Sequence, residues 1–290
     1  RLAATEQIDL VIPTTDTDVT ALSDLSKTLG RRVFLPDPAV IRLCQDKYNL
    51  TEALRARNVP APETYAVTDA NTLGDLFRRL GNDRPIWCRA RTGSRSLGAA
   101  PMTRPEQAQA WILYWEEMRG VPASSFTLSE YLPGRDFLCQ SLWKDGSLVL
   151  ANTFERLSYF GGENSPSGVS SLSSLAKTVA DSRLVDVCRR AIQAIAPTAS
   201  GAFSIDLKEN RRGVPCIREI KPGRLLMGTR ALWDVRKEKP PRVCVRLACG
   251  EPVDLREEYD AVEGYYLVRD LDNPPGVFQE DELFNEVRVL

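Results

Sequence analysis

Residues 200–224 read SGAFSIDLKENRRGVPCIREIKPGR, and this stretch decides the fold. Two runs of strand-type residues flank Arg212-Gly213, which predicts two antiparallel strands joined by a tight turn. That turn places Asp206 directly opposite Glu219, where facing Cβ atoms lie about 5 Å apart. Two carboxylates at this distance repel each other, so a positive charge is expected between them. A hard divalent cation that binds carboxylate and phosphate oxygens together is the expected partner, and it indicates nucleotide chemistry.

The composition is ordinary for a globular protein and narrows the choice of partner. The chain has 290 residues, of which 43% are hydrophobic and 27% charged, and this length predicts one large domain or two smaller ones. A formal net charge of −1 does not indicate a nucleic-acid partner. No apolar run approaches the ~20 residues of a membrane span, so no membrane partner is expected. No signal peptide is visible.

Histidine is absent from the chain. This excludes Ser-His-Asp and Cys-His catalysis, histidine general bases and histidine-ligated zinc. The chemistry must come from Asp, Glu, Lys, Arg, backbone amides and bound ions. The seven cysteines are scattered and form no CxxC motif, so we expect buried, reduced thiols in a cytoplasmic protein.

The N-terminal part has the rhythm of a parallel α/β unit. IDLVIP (8–13) and RRVFLP (31–36) read as strands, and the residues between them have helical spacing. An open sheet of so few strands is marginal, so we expect further residues before Arg1. The stretch from Pro38 to about Asn58 reads as one helix that ends at NVPAP.

Later segments alternate between strands and helices. Predicted strands are TYAV (64–67), PIWCRA (85–90), FTLSEYL (126–132), DFLCQSLW (136–143), SLVLANTF (147–154) and GYYLVRDL (264–271). Predicted helices cover residues 69–80, about 105–118 and about 181–196. Lys144-Asp145-Gly146 joins two of these strands with a hairpin signal, and residues 161–173 read as a Gly/Ser loop.

Two features suggest a phosphate site. The loop RTGSRSLGA (91–99) follows a strand, and its glycines would let backbone N–H groups close over a polyphosphate. It matches neither GxxxxGK[ST] nor GxGxxG, and a plain surface loop is the alternative. Arg89 lies just before the loop between apolar neighbours, so its charge needs a ligand such as phosphate, unless the strand is an exposed edge.

Two further segments have functional and structural readings. After Glu130 in SEYLPGRD (129–136), backbone groups could meet a nucleobase edge, and Asp136 could accept from ribose hydroxyls. The alternative is a Pro-Gly turn with solvated charges. Asp46-Lys47 reads, from residue types alone, as an ion pair on a helix surface.

Six segments, taken in their order along the chain, resemble the ATP-grasp superfamily in its carbamoyl-phosphate-synthase and biotin-carboxylase-like branch. The segments are DLVIPTTD, IRLCQDKYNLTEALRARNVPAPETY, PIWCRARTGSRSLG, LSEYLPGRDF, GAFSID and REIKPGR, which together cover nearly the whole chain. The resemblance implies an α/β (α+β) ATP-grasp fold in which two α+β subdomains grip ATP. Residues 1–36 would end a Rossmann-like pre-ATP-grasp region, and residues 37–290 would form the ATP-grasp domain. Its lid-like subdomain would span about 60–130 and its catalytic subdomain about 131–290.

The resemblance also implies a set of site residues and the cofactors ATP and Mg²⁺ or Mn²⁺. The nucleotide-binding positions would be Lys47, Arg89, Ser94, Ser96, Glu130, Tyr131, Leu132 and Asp136. The first two would hold phosphates, and the two serines belong to the 91–98 loop, which would be the phosphate lid. The segment of Glu130, Tyr131 and Leu132 would form the adenine hinge, largely through backbone groups, and Asp136 would hold the ribose. The metal-binding acids would be Asp206 and Glu219, and Arg224 lies near an anion-holding arginine.

Lys221 departs from the family, which has asparagine at this position as a ligand of a second Mg²⁺. An ammonium cannot ligate a cation and repels it. Three readings follow: one metal is lost, Lys221 itself supplies positive charge to the phosphates, or catalysis has decayed. The candidate catalytic residues are Lys221 and Arg224, of which Arg224 would steady the substrate carboxylate or the transferred phosphate.

The resemblance implies an ATP-dependent ligase that phosphorylates a carboxylate and couples the acyl phosphate to an amine or similar nucleophile. The alternatives are a catalytically weakened ATP-binding regulatory or partner subunit, and a small-molecule kinase. Expected partners are small molecules, with no nucleic acid or membrane, and a homodimer is compatible with the family. The sequence identifies neither the carboxylate nor the nucleophile.

Overall fold

The computed structural model describes residues 5–26, 28–81, 84–93, 96–170 and 172–284. Within these ranges the chain forms a two-stranded, a four-stranded and a seven-stranded sheet, together with eight α-helices. The two larger sheets are antiparallel throughout. The chain therefore combines α/β and α+β character, as expected.

The smallest sheet lies at the N-terminus. Strands β1 (Leu10–Val11) and β2 (Arg32–Val33) pair in parallel, and helix α1 (Asp16–Leu25) connects them. Thr15 begins α1 with a capping box, since its Oγ1 accepts from Asp18 N while Asp18 Oδ2 accepts from Thr15 N. The predicted strand–helix–strand unit is confirmed.

The next segment contains two helices where the sequence predicted one. Helix α2 (Pro38–Gln45) and helix α3 (Lys47–Arg55) are separated by Asp46, whose backbone is extended at φ −96° and ψ 101°. Asp46 Oδ1 accepts from the backbone N–H groups of Tyr48 and Asn49 and so caps α3. The prediction of a continuous helix was wrong, because a capping aspartate outweighs helical spacing here.

The four-stranded sheet follows, with strand order β3-β6-β4-β5. Its strands are β3 (Thr64–Ala66), β4 (Ile86–Ala90), β5 (Ala100–Met102) and β6 (Phe126–Glu130). Helices α4 (Leu73–Leu80) and α5 (Pro105–Arg119) pack on it through a small core that includes Phe77 and Phe126. Strand β5 was not predicted, since its three residues directly follow the Gly/Ser-rich loop.

The seven-stranded sheet has the order β11-β10-β7-β8-β9-β12-β13. Its strands are β7 (Asp136–Lys144), β8 (Ser147–Tyr159), β9 (Ser173–Thr178), β10 (Gly201–Glu209), β11 (Pro215–Pro222), β12 (Tyr265–Val268) and β13 (Gly276–Gln279). The remaining helices are α6 (Ser182–Ile195), α7 (Pro240–Cys249) and α8 (Glu280–Phe284). Asp145 and Gly146 have φ of 49° and 84°, which is the conformation that the predicted two-residue hairpin turn requires.

The two faces of the seven-stranded sheet differ sharply. On one face Phe137, Phe203 and Ile205 are fully buried against α2, α3 and α6. Because side chains alternate along a strand, Asp136 and Asp206 project from the other face. The apolar core thereby holds a row of charged residues in place.

A β-bulge interrupts the hairpin of β10 and β11. Asp206 pairs with Glu219 as predicted, but Leu207 pairs with Ile217, so Arg218 is an extra residue in β11. The connecting loop covers residues 210–214 rather than the two residues Arg212-Gly213. The predicted turn was therefore wrong, and the bulge restores the facing of the two carboxylates.

Two further sequence expectations concern the chain as a whole. All seven cysteines are unpaired, and all except Cys249 are buried. Among the described residues, no helix combines the length and the apolarity needed to cross a membrane.

The strands of the four-stranded sheet lie within residues 64–130, and those of the seven-stranded sheet within 136–279. The domain boundaries themselves stay a prediction.

Candidate functional site

A cavity of about 400 Å³ lies between the two larger sheets and the N-terminal segment. This size is within the usual range of small-molecule sites. Six cationic side chains line it, namely Lys47, Arg89, Arg156, Arg218, Lys221 and Arg224. The acidic residues in its described lining are Asp16, Asp206 and Glu219. The cavity therefore carries an excess of positive charge, which favours an anionic ligand.

The floor of the cavity is built around Lys221. Its Nζ lies 2.5 Å from Asp206 Oδ2 and 3.1 Å from Glu219 Oε2. Lys221 follows Glu219 by two residues on β11, so both side chains leave the same face of the sheet. The positive charge expected between the two carboxylates is thus an ammonium of the chain itself.

A second layer of charges lies beside this floor. Arg156 NH2 donates to Asp206 Oδ1 at 2.5 Å, and Arg156 NH1 donates to Asp136 Oδ1 at 3.1 Å. Arg218 NH2 lies 3.0 Å from Asp136 Oδ2, and the hydroxyl of Tyr159 donates to the same oxygen at 2.6 Å. Asp136 therefore contacts two guanidinium groups that line the cavity, and three side chains already donate to its carboxylate.

Lys47 and Arg89 reach the floor from outside the seven-stranded sheet. Lys47 Nζ donates to the carbonyl of Gly93 at 2.6 Å and lies 3.6 Å from Glu219 Oε1. Arg89 projects from β4, and its NH2 donates to the carbonyl of Arg218 at 3.1 Å. Both side chains are buried, so Lys47 is not the exposed helix-surface ion pair of the simpler reading. Asp46 instead pairs with Arg91 at 2.6 Å.

Two side chains that line this cavity, Arg89 and Arg218, each have a buried Nε with no hydrogen-bond partner among the described residues. An unpaired buried N–H of a charged group is costly, on the order of 1–3 kcal/mol or more. The described part of the chain thus leaves both guanidinium groups with unused donor capacity at the edge of the cavity.

The charges of the floor shift each other's protonation. Burial alone would raise the pKa of Glu219, but Lys221 and Lys47 outweigh it and hold that pKa at about 2. Burial is likewise outweighed at Asp206, where Arg156 and Lys221 hold the pKa well below its usual range. Burial lowers the pKa of Lys47, although Glu219 opposes this. Near neutral pH the two acids are ionised.

The loop after β4 arches toward the same cavity. Its described part contains Gly93 and Gly98 with φ of 94° and 60°. A Cβ on Gly98 would approach Phe126 to 2.6 Å, so only glycine fits this close packing. Ser96 lines the cavity, whereas Ser94 lies outside the described residues.

A second cavity of about 220 Å³ adjoins the first and contains the predicted hinge residues Glu130, Tyr131 and Leu132. It also contains Trp87, whose ring centroid lies 6.2 Å from that of Tyr131. Lys208 also lies beside Tyr131, with its Nζ 5.9 Å from the ring centroid. This end of the site therefore offers the aromatic rings of Trp87 and Tyr131, and its described lining has fewer cationic side chains than that of the larger cavity.

Gly134 fixes the hinge segment against β10. The backbone N–H of Gly134 donates to the carbonyl of Glu209 at 3.0 Å, and Glu209 N donates to Arg135 O at 2.9 Å. A Cβ at Gly134 would lie 2.6 Å from Glu209 Cβ. The Pro-Gly turn thus permits a close approach of the backbone, which positions Tyr131 and Leu132.

The structure brings most of the predicted residues together and gives two of them contacts that the sequence did not indicate. Lys47, Arg89, Ser96, Asp206, Glu219, Lys221 and Arg224 line the larger cavity. Asp136 is committed to Arg156, Arg218 and Tyr159, so its carboxylate is not free for ribose hydroxyls. Arg224 donates from Nε to Asp16 Oδ1 at 2.6 Å, an N-terminal contact that its position in the sequence did not reveal.

Three cationic site residues were missed from the sequence. Lys208 follows Asp206 by two residues on β10, so alternation along the strand was a usable signal for it. Arg218 offered no such signal, because alternation places it on the face opposite Glu219, and only the bulge turns it into the cavity. Arg156 likewise faces Asp136 only because the pairing of β7 and β8 shifts near Leu142.

The donor set does not suit a protein-bound Mg²⁺. Asp206 Oδ1 and Oδ2 face Arg156 and Lys221, and Glu219 Oε1 and Oε2 face Lys47 and Lys221. Every oxygen that would ligate the metal thus has a cationic partner. Among the described residues, no group of three or more His, Cys, Asp or Glu side chains is placed to hold a metal ion. The residues present do not fit a divalent ion shared by these two carboxylates.

No protein-family model matches the chain, and no curated protein matches it in sequence. Solved structures do match. Biotin carboxylase from Campylobacter jejuni in complex with β,γ-ATP has a TM-score of 0.76 at 14% identity, covering 92% of this chain and 60% of that one. The biotin carboxylase domain dimer of Hydrogenobacter thermophilus 2-oxoglutarate carboxylase, with MgADP and bicarbonate, has a TM-score of 0.73 at 15% identity, covering 92% and 59%.

A third similar structure is the L-amino acid ligase from Bacillus licheniformis, with a TM-score of 0.65 at 11% identity, covering 92% of this chain and 62% of that one. The chain thus spans about three fifths of the length of these structures. At these identities the likeness concerns the fold, and it confirms the fold class expected from the sequence.

Proposed function

We propose that this chain, which has the ATP-grasp fold of the biotin-carboxylase-like branch, is an ATP-dependent ligase acting on a carboxylate. One observation carries the proposal: six cationic side chains converge on one cavity whose described lining has only three acidic residues. A polyphosphate supplies the negative charge and the hydrogen-bond acceptors that such an excess of cations favours.

The nucleotide is proposed to span both cavities. Its base lies beside Trp87 and Tyr131, where flat aromatic side chains offer stacking surface. Its phosphates reach Lys47, Arg89 and the loop of residues 91–98. The similar biotin carboxylase is described as a complex with β,γ-ATP, which supports a nucleotide as the ligand.

The proposed chemistry begins with transfer of the γ-phosphoryl group to a carboxylate oxygen of the substrate, which releases ADP. An amine or similar nucleophile then attacks the acyl phosphate, and inorganic phosphate leaves. Such transfer depends mainly on positioning and on cations that stabilise the transferred group, so a chain without histidine can perform it. Mg²⁺ bound by the phosphates would neutralise part of their charge.

Arg224 is proposed to hold the substrate carboxylate. Its guanidinium lines the larger cavity and is oriented by Asp16 through the Nε–H bond. A guanidinium matches a carboxylate in charge and shape. Because Asp16 belongs to α1, the acceptor end of the site would depend on the N-terminal segment.

The test is a panel of carboxylate and amine pairs incubated with ATP, with ADP, phosphate and coupled product followed by mass spectrometry. ADP release that requires one carboxylate, with a mass corresponding to the coupled product, is the expected result. Arg224→Met should remove turnover while ATP binding persists. An intact phosphorylated product would indicate a kinase instead.

A second candidate is an ATP-binding regulatory subunit without turnover. It is favoured by one observation, the ammonium of Lys221 between the two acids. Tight ATP binding without ADP release across the whole panel is the outcome that selects it. A protein that binds neither ATP nor ADP would rule out both candidates.

A further inference from the structure

The ammonium of Lys221 occupies the position where a divalent metal shared by Asp206 and Glu219 would lie. Its Nζ is 2.5 Å from one carboxylate and 3.1 Å from the other, which are the distances of direct, charge-assisted hydrogen bonds. Burial alone would lower the pKa of Lys221, but Asp206 and Glu219 raise it. The side chain is therefore a cation at neutral pH.

Strand β11 sets the position of Lys221, because it carries both Lys221 and Glu219. Lys221 faces Ser204 across the β10–β11 ladder, next to the pair of Asp206 and Glu219. Arg156 approaches the other oxygen of Asp206 at 2.5 Å. The two acids thus each receive two cationic partners from the chain, and a further divalent ion would meet direct repulsion.

We propose that this site binds a nucleoside triphosphate or diphosphate without a protein-bound divalent metal, and that Lys221 supplies the bridging positive charge in its place. The inference rests on the proposed nucleotide site. The two acids then serve to hold Lys221 and Arg156 in position beneath the phosphates. Any Mg²⁺ present would be coordinated by the nucleotide and water alone.

The main test is calorimetric titration of the chain with ATP in excess EDTA and again in excess Mg²⁺. The two dissociation constants should agree within about threefold for the wild type. Lys221→Asn restores an oxygen ligand and removes the ammonium. This variant should bind ATP at least about tenfold more weakly in EDTA than in Mg²⁺. The matched control is Lys144→Asn, which replaces an exposed lysine at the end of β7 and should behave as the wild type.

A second measurement uses Mn²⁺ alone, detected by electron paramagnetic resonance, and requires no nucleotide. The wild type should leave Mn²⁺ free, whereas Lys221→Asn should bind it. If that variant does not fold, the wild-type result still decides. Mn²⁺ that the wild type binds and Glu219→Gln does not bind would overturn the inference.

The outcomes separate this inference from the proposed function. Wild-type binding of ATP that requires Mg²⁺ overturns the metal-free site and leaves the ATP site intact. Absence of ATP binding in both buffers overturns the nucleotide site and this inference with it. Equal ATP binding by the wild type in both buffers, together with binding that Lys221→Asn alone loses in EDTA, supports the nucleotide site and this inference.

Discussion

The two ends of the site are built in different ways. At the proposed base end, backbone groups after Glu130 and the rings of Trp87 and Tyr131 form a pocket that depends on shape. At the proposed phosphate end, three acids and four cations form one connected network of ion pairs, namely Asp136, Asp206 and Glu219 with Lys47, Arg156, Arg218 and Lys221. A pocket made by backbone and shape tolerates sequence change, whereas a charge network must be replaced as a set. The substitution at Lys221 lies at the phosphate end, and there the chain departs from the pattern of the family it resembles.

The largest effect is expected at the centre of the network. Arg156→Met removes a buried cationic partner from both Asp136 and Asp206, since the side chain of Arg156 is only 6% exposed. Removal of one partner from a buried pair costs about 3–5 kcal/mol of unfolding free energy. Urea denaturation followed by circular dichroism measures it.

Arg135→Met is the matched control for that measurement. The side chain of Arg135 is 47% exposed, and its partner Glu155 keeps Lys177 at 3.5 Å. A loss of about 1 kcal/mol or less is expected. Equal losses for the two variants would contradict the view that burial makes the network interdependent.

The next effect concerns affinity. Arg89→Met removes a buried guanidinium that lines the larger cavity and whose Nε has no acceptor among the described residues. A hydrogen bond to a charged group contributes about 1.5–3 kcal/mol, so ATP should bind roughly tenfold to a hundredfold more weakly. Adenosine, which has no phosphate, should bind as before. Arg119→Met on the exposed side of α5 is the control, and equal losses for ATP and adenosine would argue against a phosphate contact.

The network also predicts how stability depends on pH. Burial raises the pKa of Glu219, but Lys221 and Lys47 lower it to about 2, below its value in an unfolded chain. The resulting stabilisation is fully present above about pH 4.5 and is lost as the pH falls toward 2. On acidification, Glu219→Gln should lose less unfolding free energy than the wild type, by on the order of 1–2 kcal/mol. The urea midpoint measured as a function of pH checks this. Parallel profiles for the two proteins would show that the ion pairs do not act on folding.

The smallest effect is expected at the base end. Tyr131→Ala removes one aromatic surface while the backbone of the hinge stays in place. A loss of about 0.5–1.5 kcal/mol, roughly threefold to tenfold in affinity, is expected for ATP and adenosine alike. Titration with both ligands checks this. A loss confined to ATP would place Tyr131 at the phosphates and remove the distinction between the two ends.

Many of the site residues could be read from the sequence, but their contacts could not. Lys47, Arg89, Asp206, Glu219, Lys221 and Arg224 line one cavity as the motif order implied. Asp136 was assigned to ribose, yet it is occupied by Arg156, Arg218 and Tyr159. That outcome depends on residues 20 and more positions away in the chain, beyond the reach of any local pattern.

Two bulges show why register escaped prediction. The two-residue turn at Asp145-Gly146 would set Glu155 opposite Asp136, but a bulge near Leu142 brings Arg156 there instead. The bulge near Asp206 does the same for Arg218 and Glu219. A shift of one residue exchanges the faces of a strand. In both hairpins the bulge decides which charges meet.

The sequence by itself determined most of the strands and helices that alternate along the chain, the presence of one acid on each strand of the β10–β11 hairpin, and the absence of histidine chemistry. These are local properties, since periodicity and residue type need only neighbours in the chain. Only the tertiary structure decided that Lys221 bridges Asp206 and Glu219, and that Arg156 and Arg218 share Asp136. The reason is physical: strand register depends on pairing between residues that are distant in the chain, and the two bulges in the seven-stranded sheet set which charges meet on one of its faces.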